Sequence, residues 1–142
     1  MYSPTSNKTL FVKGVIGCNI SIPPHPFTSE SVTLQDAGAT RFLIVGHDRS
    51  RGRAVYIYLD KDISCGTFDI GQGKKVFAYY YHSYTEFGWN YYADSGTFTL
   101  SRVDFANSLL EGTFNFNAPG MEKGEPEMKI TNGVVNLTGP SH

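Results

Sequence analysis

Between Phe77 and Tyr92 the sequence FAYYYHSYTEFGWNYY sets six tyrosines, two phenylalanines and the chain's one tryptophan within sixteen positions. Rings clustered this densely can stack on the flat faces of sugars or nucleobases, and tyrosine adds a hydroxyl that hydrogen-bonds a ligand's rim. Read as a hairpin turning on Tyr84, the segment pairs odd residues with odd. Phe77, Tyr79, Tyr81, Phe87, Trp89 and Tyr91 then share one sheet face. Gly88 and Asn90 fall on the opposite parity, which makes the aromatic face the expected buried one. The competing expectation is a ligand platform carried by Tyr79, Tyr81, Tyr84, Trp89 and Tyr91. A turn displaced by half a residue would divide the rings between the two faces.

A second cluster lies in His47-Asp48-Arg49-Ser50-Arg51-Gly52-Arg53, which with Arg41 holds four of the five arginines. Guanidinium forks on a hairpin tip suit phosphate or carboxylate, because two parallel hydrogen bonds add geometry to charge. Arg49, Arg51 and Arg53 are therefore candidate ligand contacts. A solvated turn whose charges guard against aggregation explains the same residues without a ligand. Asp48, Asp60 and Asp62 stand near enough in sequence to neutralise part of the charge.

Catalytic and metal signatures are weak. His25, His47 and His82 do not form the close His/Cys pairs of a zinc site, and Cys18 and Cys65 lie far apart, so neither a metal nor a cofactor is expected. The two cysteines read as free core thiols ahead of a disulfide. No Gly-x-Ser-x-Gly elbow is present. Asp60 with Asp62 and Glu125 with Glu127 occupy turn-like stretches, where a solvated surface is the simpler reading than glycosidase chemistry.

The elements that must position these residues are strands. Gly66-Thr67-Phe68-Asp69-Ile70, Gly96-Thr97-Phe98-Thr99-Leu100 and Gly112-Thr113-Phe114-Asn115-Phe116 share one form. Glycine releases a turn, threonine favours extended backbone, and the third and fifth residues fall on one face, leaving Thr67, Thr97 and Thr113 outside. Residues 8–22 read as a strand bent at Gly14 and Gly17, and Pro23-Pro24-His25-Pro26 as a loop or protected edge. Further strands are predicted near residues 31–34, 41–46, 54–59, 76–82, 87–92, 97–104, 109–117 and 128–137, the last with a bulge at Asn132-Gly133. No segment carries a helical period. The predicted fold is all-β, a single domain over residues 1–142, built as an antiparallel β-sandwich or flattened β-barrel of about nine or ten strands.

Composition agrees. Aromatics make up 14% and charged residues 18% of the 142 residues, a balance suited to short strands and tight turns. The net charge of −1 argues against general nucleic-acid binding. No run approaches a membrane span, and the N-terminus carries neither a basic nor an apolar leader region, so the chain as written reads as soluble and unexported.

Gly96-Thr97-Phe98-Thr99-Leu100, Val103-Asp104, Leu110-Glu111-Gly112-Thr113-Phe114-Asn115-Phe116 and Ile130-Thr131-Asn132-Gly133-Val134-Val135-Asn136, in that order, resemble an uncharacterised bacterial β-rich family of unknown function. The match covers mainly residues 66–137. Members are often small lipoprotein-like envelope proteins, so the resemblance implies an envelope or secreted location; it brings no catalytic residues. The leading functional expectation is a non-enzymatic binding module. Its aromatic face, its Arg-rich loop or both would hold a glycan, a nucleotide-like ligand or a protein partner. A structural protein that self-associates through edge strands into a homo-oligomer is the alternative, and a hydrolase with an unrecognised site is third.

Overall fold

Residues 109–118 show how alternation builds this molecule: Leu110, Gly112, Phe114, Phe116 and Ala118 point inward, while Glu111, Thr113 and Asn115 meet solvent. A strand of this pattern covers a core with one face only. The computed structural model describes residues 9–23, 25–83, 86–120 and 127–141. Within them lie β1 (Thr9–Ile20), β2 (Pro26–Thr28), β3 (Ser31–Asp36), β4 (Arg41–Asp48), β5 (Arg53–Asp60) and β6 (Gly66–Asp69). They are followed by β7 (Val76–Ser83), β8 (Gly88–Tyr92), β9 (Ser95–Asp104), β10 (Leu109–Ala118) and β11 (Met128–Pro140). Two single 3-10 turns, Arg49–Arg51 and Phe105–Asn107, are the helical elements among the described residues.

Ten strands pair in the order β6-β9-β10-β11-β1-β3-β4-β5-β7-β8, curling into an antiparallel half-barrel, with β2 added beside β1. The ends of this path are stitched together. Ile70 bridges Val76, the Ile70 amide donates to the Gly96 carbonyl at 2.9 Å, and the Ala93 amide donates to the Ala78 carbonyl at 3.0 Å. One residue later the Asp94 amide reaches the Asn117 carbonyl at 2.9 Å, so the chain leaves β7's side and joins β10's. β8 and β9 thus follow one another across a bend at Asp94, the first pairing with β7 and the second with β10.

The bends fall at the expected glycines and at the β11 bulge. Register shifts interrupt β1 between Lys13 and Gly14 and between Gly17 and Asn19. In β11 the bulge leaves Asn132 at φ 53° and resets the inward parity from Ile130 to Val135. Pro26 opens β2, whose place at the margin of the sheet spares a ladder donor.

The curl is filled with side chains. Ile16, Ile44, Ile57, Tyr80, Phe98, Leu110, Phe116 and Ile130 are among the fully buried residues of one continuous core. Phe98 and Phe114 stack with centroids 6.2 Å apart. Each large side chain so buried contributes about 1.5–3 kcal/mol. Thr67, Thr97 and Thr113 stand outside, and Phe98 and Phe114 inside.

Candidate functional site: an aromatic face and the free edge of β8

The β7–β8 hairpin pairs Tyr79 with Tyr92, Tyr80 with Tyr91, Tyr81 with Asn90, His82 with Trp89 and Ser83 with Gly88. Odd residues therefore face even ones, and the expected common face of six rings is corrected. Tyr91 turns inward beside Tyr80, and both are buried. Phe77, Tyr79 and Tyr81 turn outward, so the expectation of a buried aromatic face is also corrected. The cause lies in β5, not in the hairpin. Val55, Ile57 and Leu59 face the core and pair with Tyr80, Ala78 and Val76, which leaves the other parity of β7 outside. Gly88 leaves room for the Tyr81 ring, which would have to shift to admit a Cβ there.

Outside, strand pairing assembles a different array. Tyr56 stacks on Tyr79 at 4.3 Å with planes 9° apart. Tyr79 meets Tyr92 at 5.0 Å, Phe77 stacks on Tyr92 at 6.2 Å, and Tyr58 lies 6.2 Å from Phe77. Leu43, Val45 and Ala54 form a buried apolar layer on this side, against which Tyr56, Tyr58 and Tyr81 pack. Each aromatic pair contributes about 0.5–1.5 kcal/mol beyond area burial. Sequence reasoning missed Tyr56, Tyr58 and Tyr92 as members of this face; the i, i+2 spacing of Tyr56 and Tyr58 on a strand was the available signal. Burial, the neighbouring phenols of Tyr58, Tyr56 and Tyr92 and a hydrogen bond with Tyr58 all push the Tyr79 hydroxyl upward. Burial, then Tyr58 and Tyr81, do the same to Tyr56. These two hydroxyls stay neutral wherever the protein is handled near neutrality.

At its margin the aromatic face meets an open cleft of about 490 Å³ along the edge of β8 that pairs with no further strand among the described residues. Trp89, Asn90, Tyr92, Asp94, Gln72 and Pro119 line it. Trp89 is 37% exposed and Tyr92 47%. Asn90 Nδ2 donates to the Tyr92 hydroxyl at 3.0 Å, and Phe87 stands edge-on to Trp89 at 5.9 Å. Exposed rings beside amides and a carboxylate combine a stacking surface with fixed polar groups, as a ligand cleft requires.

The arginine cluster divides. Arg53 is 3% exposed, and its Nη2 donates to Asp48 Oδ2 at 2.8 Å and to the Pro26 carbonyl at 3.0 Å, while its guanidinium lies 5.3 Å from the Phe27 ring. Its assignment as a ligand contact is corrected: at the first position of β5 its parity is inward, and Asp48 compensates its charge there. Arg41, at the other end of β4, pairs with Asp60 at 3.4 Å and donates to the Lys74 carbonyl at 2.9 Å. Arg49 and Arg51 remain exposed, Arg51 at 63% and 3.8 Å from Asp48. Glu30 accepts from the Arg49 amide at 3.1 Å and from the Ser50 hydroxyl, which orders this turn. The Ser83 amide donates to the Gly52 carbonyl at 2.8 Å, so the arginine turn and the β7–β8 hairpin share one rim. Tyr84 lies outside the described residues. Among the described residues no three His, Cys, Asp or Glu side chains gather as a metal site.

Cys18 is buried and Cys65 exposed, both as free thiols. Burial pushes the Cys18 thiol up to about 12, against the opposing pull of the Arg53 charge. A thiol reagent should therefore label Cys65 in the folded protein and Cys18 only after denaturation; equal labelling rates would contradict the buried position. Because the unfolded thiol ionises first, Cys18's contribution to stability is present below about pH 9 and lost as pH rises toward 12. Tyr56 and Tyr79 act in the same direction above their ordinary pKa of about 10. Urea midpoints measured at pH 7, 9 and 10.5 should fall over the last interval.

Fold and site together define an all-β, barrel-like domain with a neutral aromatic face and an edge cleft on its outer surface. The chain belongs to the family described as domain of unknown function DUF6252, which matches residues 25–137. Neither the curated proteins nor the solved structures include a match to it. The family match begins well before the Gly-Thr-Phe strands and takes in β2 to β5, so Tyr56, Tyr58 and the arginine turn belong to the family region. Among the described residues no helix is long and apolar enough to cross a membrane.

Proposed function

We propose that this domain is a binding module that holds a glycan at the free edge of β8, with Trp89 and Tyr92 stacking on sugar faces and Asn90, Gln72 and Asp94 hydrogen-bonding its hydroxyls. The observation that carries the reading is the outward aromatic array itself. The core is filled by other residues, yet Tyr56, Tyr58, Phe77, Tyr79 and Tyr92 pack together on the solvent side and end at an open cleft. Rigid tyrosines present a large amphipathic area at low entropic cost, which favours recognition. Among the described residues lining the cleft Asp94 is the single carboxylate, whereas glycoside hydrolysis uses a pair. Binding without turnover is the reading this supports. Self-association through sheet edges is less well supported, because the end strands β6 and β8 span only four and five residues and short edges disfavour pairing.

Trp89 is the only tryptophan, so its fluorescence reports the cleft directly. Titration with soluble neutral oligosaccharides should shift its emission, and Trp89→Ala should weaken binding by about 1–3 kcal/mol, the value of one stacked ring. A flat response across the sugar panel would remove the glycan reading. A response to nucleotides alone, lost on replacing Arg49 and Arg51 by Ala, would transfer the ligand to the arginine rim.

A further inference from the structure

Trp89 and Tyr92 leave β8 on opposite faces, because successive side chains of a strand alternate. Tyr92 belongs to the outer array, where it meets Tyr79, whereas Trp89 shares the parity of the inward Tyr91 yet remains exposed. A ligand that touches both rings therefore crosses the edge of the strand itself. What that edge offers follows from the ladder. The Ala93 amide donates to the Ala78 carbonyl at 3.0 Å, and in an antiparallel pair the bonding residues alternate, so Ala93, Tyr91 and Trp89 direct their backbone groups to β7. Tyr92, Asn90 and Gly88 direct theirs the other way, toward the side on which the cleft opens.

β10 approaches this side and stops short of it. The Asp94 amide donates to the Asn117 carbonyl at 2.9 Å, and the next bond of such a ladder would run from the amide of residue 119 to the Tyr92 carbonyl. Residue 119 is proline, which has no N–H to give. Pro119 and Gly120 line the cleft instead. Among the described residues no backbone group bonds Asn90 or Tyr92 from this side. The Asn90 side chain is drawn along the strand by its bond to the Tyr92 hydroxyl at 3.0 Å, which leaves the peptide N–H and C=O of this exposed residue open between the two rings.

We propose that the sugar held at this edge is an N-acetylated amino sugar, whose acetamido carbonyl accepts from the Asn90 N–H while its methyl group packs on Trp89 and its pyranose ring on Tyr92. This rests on the glycan reading of the β8 cleft and adds the class of sugar. The acetamido oxygen is an acceptor of the same kind that a neighbouring strand would bring to the Asn90 amide. The acetyl methyl adds apolar area that a plain hexose lacks, in a cleft with a ring on either side of its polar edge.

The test is calorimetric titration with the β-linked trimers of N-acetylglucosamine and of glucose, joined by proton–nitrogen NMR of the Asn90 amide. The acetylated trimer should bind about tenfold more tightly than the glucose trimer, which is what one further hydrogen bond with its apolar contact supplies. Its binding should move the Asn90 amide resonance downfield. Asn90→Pro removes that N–H at an edge position, where proline is tolerated, and should bring the two trimers to equal affinity. Asn90→Ala keeps the N–H and should weaken both trimers alike, preserving their ratio. Equal affinity of the two trimers for the unaltered protein would overturn the acetamido assignment and leave the β8 glycan site standing. An Asn90 amide that does not move on binding, or a ratio that survives in folded Asn90→Pro, would overturn it in the same way. Binding indifferent to Trp89→Ala would place the sugar elsewhere and remove both readings, as would absence of binding by every neutral oligosaccharide.

Discussion

Arg53→Ala should lower the free energy of unfolding by about 3–5 kcal/mol, the range seen when one partner of a buried ion pair is removed. Asp48 is 1% exposed, and its Oδ2 receives both Nε and Nη2 of Arg53, at 3.2 and 2.8 Å. Its Oδ1 has no hydrogen-bond partner among the described residues, so the carboxylate relies heavily on this one guanidinium. Arg51, 3.8 Å away and largely exposed, compensates only weakly. Loss of Arg53 would also free the Pro26 carbonyl and the face of Phe27, which tie β2 to the end of β5. Replacing both charges, Arg53→Met with Asp48→Leu, should recover most of the loss because no buried charge then remains. Urea unfolding of the two variants decides the matter, and a single-variant loss below about 1 kcal/mol would mean that the pair is solvated.

Gly96→Ala should destabilise by a comparable amount. Gly96 sits at φ 150°, a conformation that costs about 1–3 kcal/mol for a residue with a side chain. A Cβ there would overlap the Asn115 carbonyl oxygen and approach Phe116 Cβ to 2.6 Å, adding an overpacking cost of about 1–3 kcal/mol. The Gly96 carbonyl also accepts from Ile70, so a shift at this point strains the seam that joins β6 and β7 to β9. Gly38→Ala is the matched control: its φ is 101°, but nothing lies within 4 Å of the added atom, so only the backbone term applies. Thermal melts should rank Gly96→Ala well below Gly38→Ala. If the two variants melt together, the close packing at the seam does not hold.

Most strands were legible because their signals are local. Alternation in Leu109–Ala118, the glycine bends of β1 and the Asn132-Gly133 bulge each follow from side-chain size and backbone freedom within a few residues. The predicted boundaries of β4, β5, β7 and β10 lie within about two residues of those observed, and the family resemblance fell on the strands that carry the Gly-Thr-Phe starts. The candidate site was legible only in part. Trp89 and the outward Tyr79 and Tyr81 were identified as candidates, whereas Tyr91 and Arg53 proved inward, and Tyr56, Tyr58 and Tyr92 escaped notice.

The sequence by itself determined that this chain is an antiparallel all-β domain and which residues carry stacking or charge, because strand period and turn chemistry are written into neighbouring residues. Tertiary structure alone decided which of those residues face solvent. Period 2 says that Tyr79 and Tyr80 face opposite ways, but only pairing of β7 with Val55, Ile57 and Leu59 says which way is out. A register fixed by a neighbouring strand, a parity reversed by the hairpin turn and a buried Asp48 waiting for Arg53 are properties of contacts distant in the chain.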